Sequence, residues 1–311
     1  MNAWIHVLSL LLLPMLALAQ PDLSRPVGET IAERGSQYYR FERFTLDSAD
    51  GLRHYRVDLA VPRKPAPPAG YPVAWLLDGN AALAELREDW LGELATGDAP
   101  LLVMVGYDTE LRFDVAARTY DYTPAPQGQV GPLLEDDVRH RPAGGAAVFR
   151  ALLEHEIRPR VAARHALDSA RQTIWGHSYG GLFVLDSLFG NPGDYRHYVA
   201  ASPALWWHDG LLLDTERRYR ERAGHPPASL LILRGAVERA GGPSADPRLL
   251  AARRQAQAAV PGDAAAQMAR RLAKLPGLAV TYREYAGQGH GDMLPLSLHQ
   301  ALRLAAGLNE R

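Results

Sequence analysis

The sequence predicts an α/β fold: a mostly parallel central sheet with helices on both faces, entered by an antiparallel hairpin. Three observations carry the prediction. Short apolar runs alternate along the chain with helical stretches, as parallel strands joined by helical crossovers require. Runs such as "VAWLLD" and "APLLVMVGY" are apolar without alternation, the mark of strands buried on both sides. Near the start, two alternating runs flank Asp50-Gly51, a turn dipeptide.

In chain order, the polar stretch from Gln20 to about Ser36 reads as an irregular arm. "YYRFERFTL" and "RHYRVDLAV" form the hairpin, the second placing Tyr55, Val57, Leu59 and Val61 on one face. "PRKPAPPAGYP" is a proline-rich surface connection. "VAWLLD" is then a buried strand, "GNAALAELREDWLGEL" one helix and "APLLVMVGY" a second buried strand. Arg112 to about Gly145 is the least regular part and reads as a long excursion beside the strand ends, where sites form in such sheets. "GGAAVFRALLEHEIRPRVAARHAL" is helical, with Pro159 confined to a bend or an end. "RQTIWGHS" is a strand and "YGGLFVLDSLFG" the helix after it. "YRHYVAASPA" and "SLLILRGA" are further strands, "RLLAARRQAQAAV" and "AAAQMARRLAKL" helices, "LAVTYREYA" the last strand and "LSLHQALRLAAGL" the closing helix. No internal repeat or break in composition marks a second domain, so residues 20–311 are expected to form a single one.

Composition narrows the function. The chain has 311 residues, 47% hydrophobic and 22% charged, with a formal net charge of −1. Near-neutral charge argues against nucleic-acid partners and against a polybasic membrane surface. With no cysteine, disulfides, thiolate nucleophiles and thiolate metal sites are excluded. The first 19 residues, "MNAWIHVLSLLLLPMLALA", combine an apolar run from Val7 to Leu16 with the small-x-small triplet Ala17-Leu18-Ala19. That is the pattern of a secretory signal peptide cut near Ala19–Gln20, although no Lys or Arg precedes the apolar run. A retained membrane anchor is the alternative, against which stand the shortness of the run and Pro14 within it.

The chemistry is expected at "WGHSYGG". Gly176-x-Ser178-x-Gly180 lies between an apolar strand and an apolar helix, the setting that makes this pentapeptide a nucleophile elbow and the chain an α/β hydrolase. Bulk at either flanking glycine is expected to clash, and Ser178 sits at a helix N-terminus that favours an oxyanion. In this fold the acid and then the histidine follow the serine. His290, in the glycine-flanked loop after the last strand, is the candidate base; His177 is expected to point away from the nucleophile. Glu238, the first carboxylate after "SLLILRG", is the candidate acid, with Asp292 or a Ser-His pair lacking a carboxylate as alternatives. The oxyanion donors are expected to be the backbone N–H of Tyr179 and that of Asn80 in "LLDGN", with Gly79 as the other choice. No metal or organic cofactor is needed.

Taken together, "LLDGN", "RTYDYTP", "GGAAVFRALLEHEIRP", "GHSYGGLFVL", "SPALWW" and "GHGDM" identify the chain as similar to the bacterial trilactone siderophore esterases, the PfeE- and IroE-type enterobactin esterases among the esterase-D-like α/β hydrolases. The resemblance runs from about Val73 to His290; Ala204 stands where a serine is expected. It implies hydrolysis of the ester backbone of enterobactin or ferric enterobactin in the periplasm, with a ferric catecholate siderophore as the small-molecule partner. It further implies that Arg118 contacts the catecholates and that Trp206 and Trp207 line the pocket. A planar cation and aromatic faces suit such a polyanion of flat rings. A general carboxylesterase for feruloyl, acetyl or thioester substrates is the alternative on the same fold, and a siderophore-binding protein without activity a third reading.

Overall fold

The computed structural model describes residues 25–238 and 247–308. The expected signal peptide, residues 1–19, lies outside them. After a single helical turn, α1 (Ile31–Arg34), the hairpin strands β1 (Tyr39–Asp47) and β2 (His54–Pro62) pair antiparallel as expected. The chain continues through β3 (Tyr71–Leu77), α2 (Gly79–Glu85), α3 (Glu88–Leu94), β4 (Leu101–Tyr107) and α4 (Val115–Tyr122). A two-residue ribbon, β5 (Leu133–Leu134) with β6 (Pro142–Ala143), precedes α5 (Ala146–Leu152) and α6 (Arg158–Ala162). The second half runs β7 (Leu167–His177), α7 (Tyr179–Gly190), β8 (His197–Ala201), α8 (Leu211–Arg220), β9 (Ala228–Gly235), α9 (Pro247–Ala258), α10 (Ala264–Leu272), β10 (Leu278–Tyr285) and α11 (Met293–Ala305).

Eight of these strands form one sheet in the order β1-β2-β4-β3-β7-β8-β9-β10. Only the β1–β2 and β2–β4 pairs are antiparallel; the rest are parallel. This is the α/β-hydrolase arrangement. Alternation along each strand divides the core into two layers. Val73, Trp75 and Leu77 of β3, with Val103 and Val105 of β4, pack against α5 and α7. Ala74 and Leu76, with Leu102 and Met104, pack against α2, α3 and α11. The period of two on strands clothed on both sides explains why the sequence shows unbroken apolar runs there. Two indoles anchor the layers by their polar edges: Trp75 donates to Gln172 at 2.7 Å and Trp175 to Ser297 at 3.0 Å.

Three local expectations are corrected. The single helix over 79–94 is two, because Leu86 and Arg87 take extended backbone angles between them. The stretch from Arg112 is not irregular throughout: it contains α4, capped by the Asp114 side chain accepting from Ala117 N–H at 2.9 Å. The inner face of α4 buries Arg118, Thr119 and Asp121, so apolar periodicity could not reveal it. Helix α8, amphipathic over "LLLDTERRYR", is an element beyond those expected. Pro159 stands near the start of α6, just past a π-helical turn at Leu153–Ile157. Both are the kind of bend the sequence demands there.

Candidate active site

The turn between β7 and α7 is strained as a nucleophile elbow should be. Ser178 has φ 61° and ψ −114°, outside the favourable regions for a residue with a side chain, which costs about 1–3 kcal/mol. Its backbone is held from both sides: its N–H donates to the Ala201 carbonyl at 2.9 Å, and its carbonyl accepts from Leu182 and Ala204. A Cβ on Gly176 would meet the Gly180 backbone at 2.4 Å, so that glycine is obligatory. The second obligatory glycine is Gly181, where a Cβ would meet the Ala201 carbonyl at 2.7 Å; at Gly180 it would find only ordinary contacts at 3.7 Å. The expectation of a clash at both flanking glycines thus holds for Gly176 and moves from Gly180 to Gly181.

Two loops after the last sheet strands are strapped together to present His290. Ala236 N–H donates to the Tyr285 carbonyl at 2.9 Å and Val237 N–H to the Gln288 carbonyl at 3.1 Å. Gly235 permits the approach, since a Cβ there would lie 2.3 Å from the Gln288 carbonyl oxygen. Beyond it, Glu238 Oε2 is 3.6 Å from His290 Nδ1. Its Oε1 accepts from Gly235 N–H at 2.9 Å and from the Ser202 hydroxyl. Burial raises the Glu238 pKa, but the His290 contact, the Ser202 hydroxyl and Gly235 N–H together hold it below the usual carboxylate range. The Asp292 carboxylate is engaged elsewhere, its Oδ2 accepting from Gly289 N–H at 2.8 Å and closing the turn that carries His290. Of the two carboxylates, Glu238 is the one beside the imidazole.

Sequence reasoning does not single out His177 or Ser202 as site residues. His177, expected to point away from the nucleophile, reaches the His290 loop, its Nε2 lying 2.9 Å from the His290 carbonyl. Ser202 has φ 44° and opens the "SPALWW" stretch, so its place at the head of that motif is the signal available. A tertiary hydrogen bond to a residue 36 positions away is not readable from a sequence.

On the opposite side, the turn after β3 lies beside the start of α7, with Asp78 Oδ2 3.8 Å from where a Gly180 Cβ would be. Asp78 is left-handed (φ 50°, ψ 50°) and begins α2, whose first N–H groups have no acceptor within the helix. The N–H groups of Asn80 and Gly79 belong to that turn, and the N–H of Tyr179 opens α7. The Asn80 side chain clamps the turn to the end of β4, bonding Tyr107 N–H and carbonyl and the carbonyls of Thr109 and Leu111 at 3.0–3.1 Å.

Arg118 lies in the interior. It is 8% exposed, and its Nε and a terminal nitrogen donate to the two oxygens of Asp78 at 2.8 and 2.9 Å. Burial opposes its charge, and the Asp78 carboxylate more than restores it. The guanidinium expected to contact substrate is thus paired with a buried carboxylate and ties α4 to the turn after β3. Trp207, expected to line the pocket, also faces inward. It is 2% exposed and donates its indole N–H to the Pro124 carbonyl at 2.9 Å. Trp206 is half-buried, its ring centroid 5.7 Å from that of Tyr179. The Tyr179 hydroxyl in turn donates to Glu135 at 2.8 Å, tying the β5–β6 excursion to the elbow.

A family model described as "Putative esterase" matches residues 52–256, two thirds of the chain. The chain belongs to this esterase family. Among its relatives, the apo-salmochelin esterase of Escherichia coli is 46% identical over 195 residues. That alignment covers 62% of this chain and 60% of the relative's length. The ferri-bacillibactin esterase BesA of Bacillus subtilis is 30% identical over 84% of this chain and 87% of its own. Among solved structures, the enterobactin and salmochelin hydrolase IroE superposes with a TM-score of 0.68 at 34% identity, over 89% of this chain and 99% of that one. The esterase thus shares its scaffold with siderophore hydrolases over most of its own length.

Proposed function

We propose that the protein is a serine esterase that hydrolyses the ester bonds of trilactone catecholate siderophores, enterobactin or its iron complex. What carries the reading is the strained Ser178 at the start of α7, next in sequence to a His177 that touches the His290 loop, in a chain whose relatives are named for siderophore esters. In this reading Ser178 Oγ attacks a lactone carbonyl carbon as His290 Nε2 takes its proton, Nδ1 being turned to Glu238. The N–H groups of Tyr179 and Asn80 receive the oxyanion, typically the largest single catalytic term. His290 then protonates the departing alkoxide. A water molecule, deprotonated by the same imidazole, attacks the acyl-enzyme, releasing the acid and returning the proton to Ser178. Opening the ring weakens chelation and favours release of iron, which enters only as part of the substrate.

Arg118 acts by holding Asp78 and the oxyanion turn, and Trp206 with the Tyr179 ring lines the pocket edge. Residues 20–311 work as one domain, and the signal-like N-terminus favours a periplasmic location. No helix among the described residues is long and apolar enough to cross a membrane. The test is mass spectrometry of products from ferric and iron-free enterobactin, with Ser178→Ala as control. Ring opening that persists in S178A would refute the nucleophile assignment. Faster turnover of simple aryl esters than of the trilactone would favour a general carboxylesterase.

A further inference from the structure

We propose that His177 is a positioning residue: its Nε2–H holds the main chain of His290 against the nucleophile turn, and so sets where the imidazole of His290 stands relative to Ser178. This rests on the reading of His290 as the base. The two residues meet in two ways. Nε2 of His177 lies 2.9 Å from the His290 carbonyl oxygen, and the ring centroids are 4.5 Å apart at 45°. A carbonyl only accepts, so His177 must carry its proton on Nε2. The ring is 5% exposed, as the last residue of β7, and is joined by one peptide bond to Ser178. The His290 main chain is thus tied to the residue beside the nucleophile.

The contact reaches across long separations: His177 at the end of β7 and His290 after β10 are 113 residues apart in sequence, and only the sheet order brings their ends together. His290 stands in a loop with glycines on both sides, tied at Gln288 and Gly289 by Val237 N–H and Asp292, and His177 adds a hold on the carbonyl of His290 itself. The charged and titratable groups facing His177 are His290 from the loop and Arg118 from α4, whose terminal nitrogen is 3.5 Å from the His177 carbonyl. Burial above all, with the neighbouring His290 ring and the Arg118 guanidinium acting in the same direction, pushes the His177 pKa well below the ordinary histidine value. A neutral ring there lets His290 become an imidazolium during the reaction without a like charge 4.5 Å away. The sequence around the elbow therefore supplies a nucleophile and a support for its base from adjacent positions.

The test compares His177→Leu, which keeps bulk and loses the donor, with His177→Gln, which keeps an N–H near the Nε2 position. Expected is a fall in kcat of about 10- to 100-fold for H177L, with KM within about twofold, since a base displaced by about 1 Å loses that much. H177Q recovers most of the loss. The rate at which an organophosphate inactivates Ser178 follows the same order. Wild-type kcat in H177L overturns the proposal. So does a loss that H177Q fails to recover and that tracks a fall in Tm, because ring packing and not the hydrogen bond would then matter. His290→Ala separates the two readings: full activity there would refute the base itself, whereas an inactive H290A beside a normal H177L would refute only the support.

Discussion

Asp78 and Arg118 form a two-point ion pair, at 2.8 and 2.9 Å, in which both residues are almost fully buried. It joins the turn after β3 to α4 across 40 residues. Removing one member strands the other's charge away from water. Arg118→Met is therefore expected to lower the unfolding free energy by about 3–5 kcal/mol, and Asp78→Asn combined with it to recover part of that. Urea denaturation of the three proteins checks this. At temperatures where R118M remains folded, kcat should fall more than KM rises if, as proposed, the pair holds the oxyanion turn; a rise in KM alone would point to a direct contact with substrate.

Glu238 lies 3.6 Å from Nδ1 of His290, and in the proposed mechanism it supports that side of the imidazole. Glu238→Gln is expected to reduce kcat by about 10²- to 10⁴-fold, by losing the charge that steadies the imidazolium. Ser202→Ala, which removes one of the two hydrogen bonds to Glu238 Oε1 and leaves that from Gly235 N–H, should cost less, about threefold to tenfold. Because the Glu238 pKa is lowered in the folded state, the stability it contributes is present above the ordinary carboxylate pKa and is lost as pH falls through the lowered value. The stability difference between wild type and E238Q should thus shrink on acidification below about pH 4.5. A difference that grows would contradict the placement.

Asp121 titrates in the opposite sense. It accepts from Tyr55 and Tyr107, both at 3.0 Å, and burial, against the pull of Arg53 and the two phenols, pushes its pKa up to about 7. Its folded pKa exceeds the unfolded one, so the folded state binds the extra proton and stability falls as pH rises between about 4 and 7. Asp121→Asn should remove that slope. Relative to the variant, wild type is expected to lose up to about 4 kcal/mol across the interval, measured by denaturation at fixed pH steps.

The elbow glycines divide by what their Cβ atoms would meet. Gly176→Ala and Gly181→Ala each press a methyl into backbone and should destabilise by about 1–3 kcal/mol or more, with loss of activity. Gly180→Ala has ordinary contact distances and should fold with near-wild-type Tm. Differential scanning calorimetry of the three variants decides. Equal damage at all three positions would show that Gly180 is packed more tightly than these distances imply.

Much of the candidate site is legible because its chemistry lies in local patterns. "GHSYGG" between an apolar strand and an apolar helix points to Ser178, the loop after the last strand to His290, and the order of serine, acid and histidine to Glu238. These inferences need only short segments and the order of elements. Arg118 and Trp207 read differently in sequence and in structure for one reason. A cation and an aromatic near a site suit a ligand and an interior partner equally well, and only depth of burial distinguishes them. Helix α4 is hidden from periodicity because its inward face carries Arg118, Thr119 and Asp121; the partners of Arg118 and Asp121 come from β2, β4 and the turn after β3.

By itself the sequence determined the alternation of strand and helix, the hairpin at the sheet's edge and the choice of candidate nucleophile, since periodicity and turn chemistry act over a few residues. The tertiary structure alone decided which carboxylate faces His290, that Arg118 turns inward to Asp78, and that His177 meets the His290 main chain. Those are contacts between segments 40 to more than 100 residues apart. Their geometry is set by how eight strands stack into one sheet, and no short stretch of residues contains it.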